Sequence, residues 1–260
     1  MKSKNSVAVC VVGNFKYLRK YLNKFVCQIR ETGKFDGDII VLTSFFNPTF
    51  LIKLHNKDKV NFIRFKRIKF DKLTNESLNN LNTKGQPNRH IYKNFQWHKV
   101  HLFDEKLKNW DYIFYIDINM YIHKSILPII EKKPLDSLYA NRDYQKNSIW
   151  QLKNQFDNTH HSFFRLERDY DLSITDYFQT GILFFDTNII NKSTKEDILK
   201  LVKKYPYSLT NEQAIMNLYF IFERNLYKEL PTKTGKVKTY TYWKDDSKSR
   251  ITKQLVPQYK

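Results

Sequence analysis

A mixed α/β domain built on a mostly parallel sheet is the fold class this sequence predicts, and three features predict it. Several apolar runs have strand length but no polar alternation, a helix-periodic stretch separates the first two, and no internal repeat or low-complexity segment interrupts the chain. "SVAVCVVGN" is a strand buried on both faces that ends in Gly13-Asn14. "YLRKYLNKFVCQIRET" then sets Leu18, Tyr21, Leu22, Phe25, Val26 and Ile29 at helical spacing, with Gly33 placed as a stop. "DIIVLTS" is the second strand and completes a β-α-β unit, for which the right-handed parallel arrangement is strongly favoured.

The later elements follow in order. "KVNFIRFKRI" reads as a third, more exposed strand, and the polar residues 71–90 as a surface loop. A helix is expected over Asn94–Leu107, leading into the strand "YIFYID". "SLYANRD" and "YFQTGILFFD" are further strands, with an aromatic and charged region at 144–175 before the second. "TKEDILKLVKKY", acids first and lysines last as the helix dipole favours, and "NEQAIMNLYFIF" are late helices. The tail "KVKTYTYWKDDSKSRITKQ" offers one strand and a basic end. Residues 7–12, 38–43 and 112–117 are expected to lie side by side as parallel strands.

Composition bounds the function less tightly. Hydrophobic residues at 41% and aromatics at 16% supply a core and exclude a disordered chain, and 260 residues suit one domain. "VAVCVV" is short and lacks a cleavage pattern, and no run approaches the roughly 18 apolar residues of a membrane span. A cytoplasmic location is therefore expected, with peripheral membrane association left open. Cys10 and Cys27 form no CxxC or Cys/His cluster and read as small hydrophobes, which argues against redox chemistry. The net charge of +19 favours an anionic partner: a nucleotide diphosphate, a nucleic acid or an acidic membrane. Lysines spread among Asn and Ile are also what an AT-rich coding sequence produces, so the charge does not choose among these.

"WDYIFYIDINMYIHKS" carries the first chemical signal, because its buried-strand pattern ends on Asp117 and Asn119. Ligands of open parallel sheets bind outside the carboxyl ends of the strands. Two oxygen side chains there could converge on Mg²⁺ or Mn²⁺, with diphosphate oxygens and water completing the octahedron. The same pair could equally cap a loop and form a turn.

"KVHLFDEKLKNWDYIFYIDINMYIHKS" resembles the core of GT-A nucleotide-sugar glycosyltransferases, particularly glycosyltransferase family 8 and the glycogenin-like enzymes. The resemblance extends to "VAVCVVGNFKYLRKYL", "YANRD", "YFQTGILFFD" and "NEQAIMN", five segments in family order over roughly residues 7–220. It implies a single-domain GT-A (Rossmann-like) fold with flanking helices, a nucleotide-binding part over about 5–125 and an acceptor-binding part over about 126–260. The reaction it implies is sugar transfer from a nucleotide diphosphate, UDP being the expected nucleotide, to a glycan, protein or lipid hydroxyl with retention of configuration. Nucleic acid is not an expected partner.

By the same resemblance Asp117 and Asn119 would hold Mn²⁺ (or Mg²⁺), Asn119 replacing the second aspartate of the family's Asp-x-Asp. Tyr17 would stack on the base, Lys99 would meet the diphosphate, and Asn141, Arg142 and Asp143 would contact the donor sugar. Gln179, Thr180 and Gly181 would line the acceptor side, and Glu212 and Gln213 would lie beside the anomeric carbon, with Asp143, as the catalytic set. The late metal-binding His of the family is missing, since no His follows His161. Two other classes stay open: a nucleotidyltransferase, disfavoured by the single Gly in "GNFKYLRK", and a catalytically degenerate relative that only binds nucleotide sugar or glycan.

Overall fold

A computed structural model of the protein describes residues 6–83, 94–143, 150–241 and 247–253. The β-α-β opening is formed by β1 (Val7–Val12), α1 (Phe15–Cys27, extended by a wider turn over Gln28–Thr32) and β2 (Asp38–Ser44). The Asn14 side chain starts α1 by accepting from the Tyr17 N–H at 3.0 Å. At Gly33 a Cβ would lie 2.6 Å from the Ile29 carbonyl oxygen, and the helical stretch ends one residue later, where Lys34 adopts φ +58° and the Phe35 N–H reaches that carbonyl at 3.1 Å.

The chain continues through β3 (Val60–Phe65), α2 (Lys72–Thr83), 3₁₀ turns over Asn94–Phe103 and Glu105–Asn109, β4 (Tyr112–Ile116), β5 (Met120–Ile122), α3 (Leu127–Ile130) and β6 (Leu138–Arg142). It then forms α4 (Phe163–Asp169), β7 (Phe178–Asp186), α5 (Thr194–Lys204), α6 (Glu212–Asn217, with a wider turn over Leu218–Glu223) and β8 (Tyr227–Glu229). Short strands close the described chain: β9 (Lys233–Thr234), β10 (Val237–Lys238), β11 (Tyr240–Thr241) and β12 (Ile251–Lys253).

Among the described residues the main sheet has seven strands in the order β3-β2-β1-β4-β7-β6-β8. The first four are mutually parallel, with 7–12, 38–43 and 112–116 adjacent as expected, and β7 runs antiparallel between β4 and β6. Two apolar layers cover its faces. Ala8, Cys10, Ile40, Ile113, Leu183 and Phe185 point to one, and Val9, Val11, Ile39, Phe114, Ile182 and Phe184 to the other. Burial on both faces is the physical reason the strands show no alternation in sequence.

Three expectations are corrected. Residues 72–83 of the expected surface loop are a helix: Asp71 caps it through the Thr74 N–H and hydroxyl, and Thr74, Leu78 and Leu81 form an inward stripe hidden in a polar sequence. Residues 84–90 of that loop lie outside the described residues. The helix expected over 94–107 breaks at Asp104, which adopts an extended backbone and caps the following turn by accepting from the Lys106 N–H. The described part of the tail supplies three short strands instead of one, and Gly235 at φ +63°, just before it, allows a tight hairpin that pairs its first strand, β10, with β9.

Phe184 is fully buried at the centre of the sheet and packs edge-on against Phe114, their ring centroids 5.3 Å apart. Phe184→Ala leaves a cavity between β4 and β7, and the expected cost is about 3–5 kcal/mol of unfolding free energy. Urea denaturation checks it, and a loss below about 1 kcal/mol would show that this layer is not the close-packed core described here.

Candidate active site

Strand direction brings several of the candidate residues to one edge. β1, β4 and β6 run the same way, so Gly13, Asp117 and Asp143 emerge at one edge of the sheet, and the antiparallel β7 begins there with Gln179, Thr180 and Gly181. β4 stops at Ile116, and Asp117 to Met120 close a turn in which the Met120 N–H bonds the Asp117 carbonyl at 3.0 Å. Asp117 and Asn119 are therefore presented by a turn and not by a continuing strand.

An irregularity in the sheet opens this edge. The pairing of β6 with β7 jumps from Ala140–Leu183 to Asn141–Gln179, which leaves Thr180, Gly181 and Ile182 without β6 partners. Their backbone groups are bonded elsewhere, as buried polar groups must be. The Thr180 N–H donates to Gln213 Oε1 at 3.3 Å, and the Gly181 carbonyl accepts from the Asp117 N–H at 2.8 Å. The Thr180 carbonyl accepts from Lys99 Nζ at 3.2 Å.

Lys99 is the centre of the cluster. Its ammonium lies 3.0 Å from Asp117 Oδ1 and 3.0 Å from Glu212 Oε1, although only 8% of the residue is exposed. Burial disfavours that charge, but the two carboxylates outweigh it and hold the Lys99 pKa well above its usual value. Burial likewise raises the Asp117 carboxyl, and Lys99 and Lys253 reverse this and leave it below 3.8. Tyr115, two residues earlier on the same strand face, donates its hydroxyl to Asp117 Oδ1. Glu212 also accepts from the Thr180 hydroxyl at 3.0 Å. It is delivered by Asn211, a fully buried residue at φ +54° that starts α6 in a strained conformation and is tied to Gln96 at 2.6 Å.

A second network adjoins the first. Asp143 accepts from Gln179 Nε2 at 2.7 Å and from Gln213 Nε2 at 3.4 Å, and Gln213 also reaches Gln155 at 3.0 Å. Burial raises the Asp143 pKa, and these amide bonds offset it only in part. Arg142 turns aside to pair with Asp176 at 3.5 Å and bond the Thr175 carbonyl.

In front of Lys99 lies a cavity of about 320 Å³ whose lining includes Gly13, Asn14, Tyr17, Gln96, Asp117 and Asn119. Lys253 also lines it, with Nζ 4.0 Å from Asp117 Oδ2. Tyr17, Lys99, Asp117 and Asn119 thus line one cavity, whereas Asn141, Arg142, Asp143, Gln179, Thr180, Gly181, Glu212 and Gln213 are not part of its lining. Glu212 is enclosed behind Lys99 with 2% exposure. Sequence reasoning missed Tyr115, Gln155 and Lys253. Tyr115 had a signal in its two-residue spacing from Asp117, while Lys253 was one lysine in a lysine-rich tail.

The donor set does not fit a divalent cation as it stands. An octahedral Mg²⁺ or Mn²⁺ shared with a diphosphate needs one or two free protein oxygens, with phosphate oxygens and water as the remaining ligands. Here Oδ1 of Asp117 is taken by Tyr115 and Lys99, and Oδ2 faces Lys253. Asn119 offers only a neutral carboxamide, so Asp117 is the one acid at this turn, and both its oxygens already face cationic or hydroxyl donors.

Removing Lys99 would leave two carboxylates facing each other, whereas Glu212→Gln would leave one neutral Lys99–Asp117 pair. Lys99→Met is expected to lose about 3–5 kcal/mol of unfolding free energy at pH 7, more than Glu212→Gln. The pH dependence is set by Asp117: because its folded pKa lies below 3.8, its contribution to stability is present above that pH and is lost as the pH falls through the folded value. Urea titrations of wild type and Asp117→Asn from pH 7 downward read this, and the gap between them should narrow only below pH 3.8.

Structural comparison places this fold. A galactosyltransferase, LgtC, solved in complex with donor and acceptor sugar analogs, aligns at a TM-score of 0.58 and 13% identity over 96% of this chain and 87% of its own. The glycosyltransferase GlyE of Streptococcus pneumoniae TIGR4 aligns at a TM-score of 0.53 and 13% identity over 88% of this chain, which spans 46% of GlyE. The apo form of GlyE aligns at 0.51 with 14% identity, over 87% of this chain and 45% of its own. No protein-family model matches the sequence, and no curated protein matches it. No helix among the described residues is long and apolar enough to cross a membrane. The architecture of this chain is the GT-A-like fold of glycosyltransferases.

Proposed function

We propose that this chain transfers a sugar from a nucleotide diphosphate, with UDP as the expected nucleotide, to an acceptor hydroxyl. The observation that carries this reading is the Lys99 ammonium, enclosed by Asp117 and Glu212 at the wall of a cavity that also presents Tyr17 and Lys253. An aromatic face suits a nucleobase, and fixed ammonium groups suit a diphosphate. When the bond between the anomeric carbon and the phosphate oxygen breaks, its electron pair passes to the diphosphate. Positive charge held in place before the reaction stabilises that developing charge.

Asp117, the acid among the described lining residues, has its oxygens engaged by the Tyr115 hydroxyl and by Lys99 and Lys253, which does not favour a covalent role. The proposed course is attack by the acceptor oxygen on the same face, its proton passing to the departing phosphate, which gives retention. Glu212 positions Lys99, while Asp143, Gln179 and Gln213 form a joined polar surface suited to sugar hydroxyls. A second reading, nucleotide-sugar binding without transfer, draws on the neutral Asn119 in place of an acid.

Release of nucleoside diphosphate from a panel of nucleotide sugars tests the proposal. Turnover is expected with at least one donor, and Asp117→Ala and Lys99→Ala should lower kcat about 10²-fold or more. Binding without release would favour the second reading. Neither binding nor release with any donor would sink both.

A further inference from the structure

We infer that this site handles the nucleoside diphosphate without a divalent cation, Lys253 providing at the Asp117–Asn119 turn the positive charge a metal ion would bring. The inference rests on the proposed function and concerns how that site neutralises its ligand.

Lys253 is placed by strand pairing. β12 runs antiparallel to β5, with Lys253 opposite Met120, the residue after Asn119. Its strand is anchored by Arg250, whose guanidinium bonds the Thr234 hydroxyl at 2.6 Å, the Thr234 carbonyl at 3.0 Å and the Ser125 carbonyl at 2.8 Å. The His123 N–H adds a bond to the Arg250 carbonyl at 2.8 Å. A short, well-tied strand thus delivers an ammonium 4.0 Å from Asp117 Oδ2, on the wall of the cavity that holds Tyr17, Lys99 and Asn119.

The charges balance without an ion. Relative to a site with two aspartates at this turn, Asn119 removes one negative charge and Lys253 adds one positive charge. The local change is two units, which is the charge of a divalent cation. Both oxygens of Asp117 already face ammonium groups, so a metal placed there would have to displace them or be repelled by them. An ammonium carries three N–H donors and no acceptor, which suits the crowded oxygens of a diphosphate.

Calorimetric titration of UDP, GDP and ADP into the protein, in excess EDTA and then in excess Mn²⁺, tests this with a readout independent of turnover. For the nucleotide that binds, wild type should show the same affinity within about threefold in both conditions, and Lys253→Gln should bind about tenfold or more weakly in EDTA. Lys253→Arg should retain most of the affinity, which separates charge from folding, and thermal melting of each variant checks integrity. The double variant Asn119→Asp with Lys253→His should reverse the pattern, binding weakly in EDTA and tightly with Mn²⁺. A tenfold or greater gain on adding Mn²⁺ to wild type, or unchanged affinity of Lys253→Gln in EDTA, overturns the inference and leaves sugar transfer standing. Failure of all three nucleotides in both conditions overturns the proposed function, and this inference with it.

Discussion

The Lys99 ammonium, shared between Asp117 and Glu212, is the constraint on which the rest of the site depends. A charge with so little exposure is costly unless it is paired and bonded on every side, and here two carboxylates, the Thr180 carbonyl and the Thr180 hydroxyl supply those partners. The three residues that supply them, Asp117, Thr180 and Glu212, come from different parts of the chain. The 94–103 stretch must bring Lys99 under the sheet edge, β4 must end at Ile116, α6 must begin at Asn211, and β7 must leave Thr180 out of its ladder. The strained backbone of Asn211 and the slipped β6–β7 pairing are local costs, and they are the features that aim Glu212 and Thr180 at one nitrogen.

The same logic explains how a chain only 13–14% identical to solved glycosyltransferases keeps their fold. The sheet requires that β1, β2, β4 and β7 be apolar on both faces, a condition that many sequences meet. Parallel strands then place loops at their carboxyl ends whatever those loops contain. Architecture is consequently tolerant of sequence, whereas the chemistry at the edge depends on a handful of positions.

That division also sets what could be read from sequence. Continuous apolar runs located β1, β2, β4 and β7 because burial on both faces leaves a mark on every residue. Lys99, Asp117, Thr180 and Glu212 were legible through their order within recognisable segments; strand direction brings Asp117 and Thr180 to one edge, and the 94–103 turn and the start of α6 bring the other two. Helix α2 was hidden because its inward face needs only Thr74, Leu78 and Leu81, too few apolar residues to stand out among Asn and Lys. Lys253 was hidden for a different reason. Its significance comes from the pairing of β12 with β5, a contact between residues more than a hundred positions apart that no local pattern records.

Lys253 also clarifies what the net charge of +19 can and cannot mean. Salt screens exposed charges beyond about 8 Å at physiological ionic strength, so lysines scattered over the surface act weakly on any anion in the cavity. Lys72 and Lys200, with side chains 87% and 74% exposed, belong to that background. Lys99 and Lys253, at 10% and 28%, sit at the cavity wall where solvent screens them less. The overall charge draws anions toward the protein, but under the proposed function discrimination among them falls to these two ammonium groups, which carboxylates hold at the carboxyl edge of the sheet.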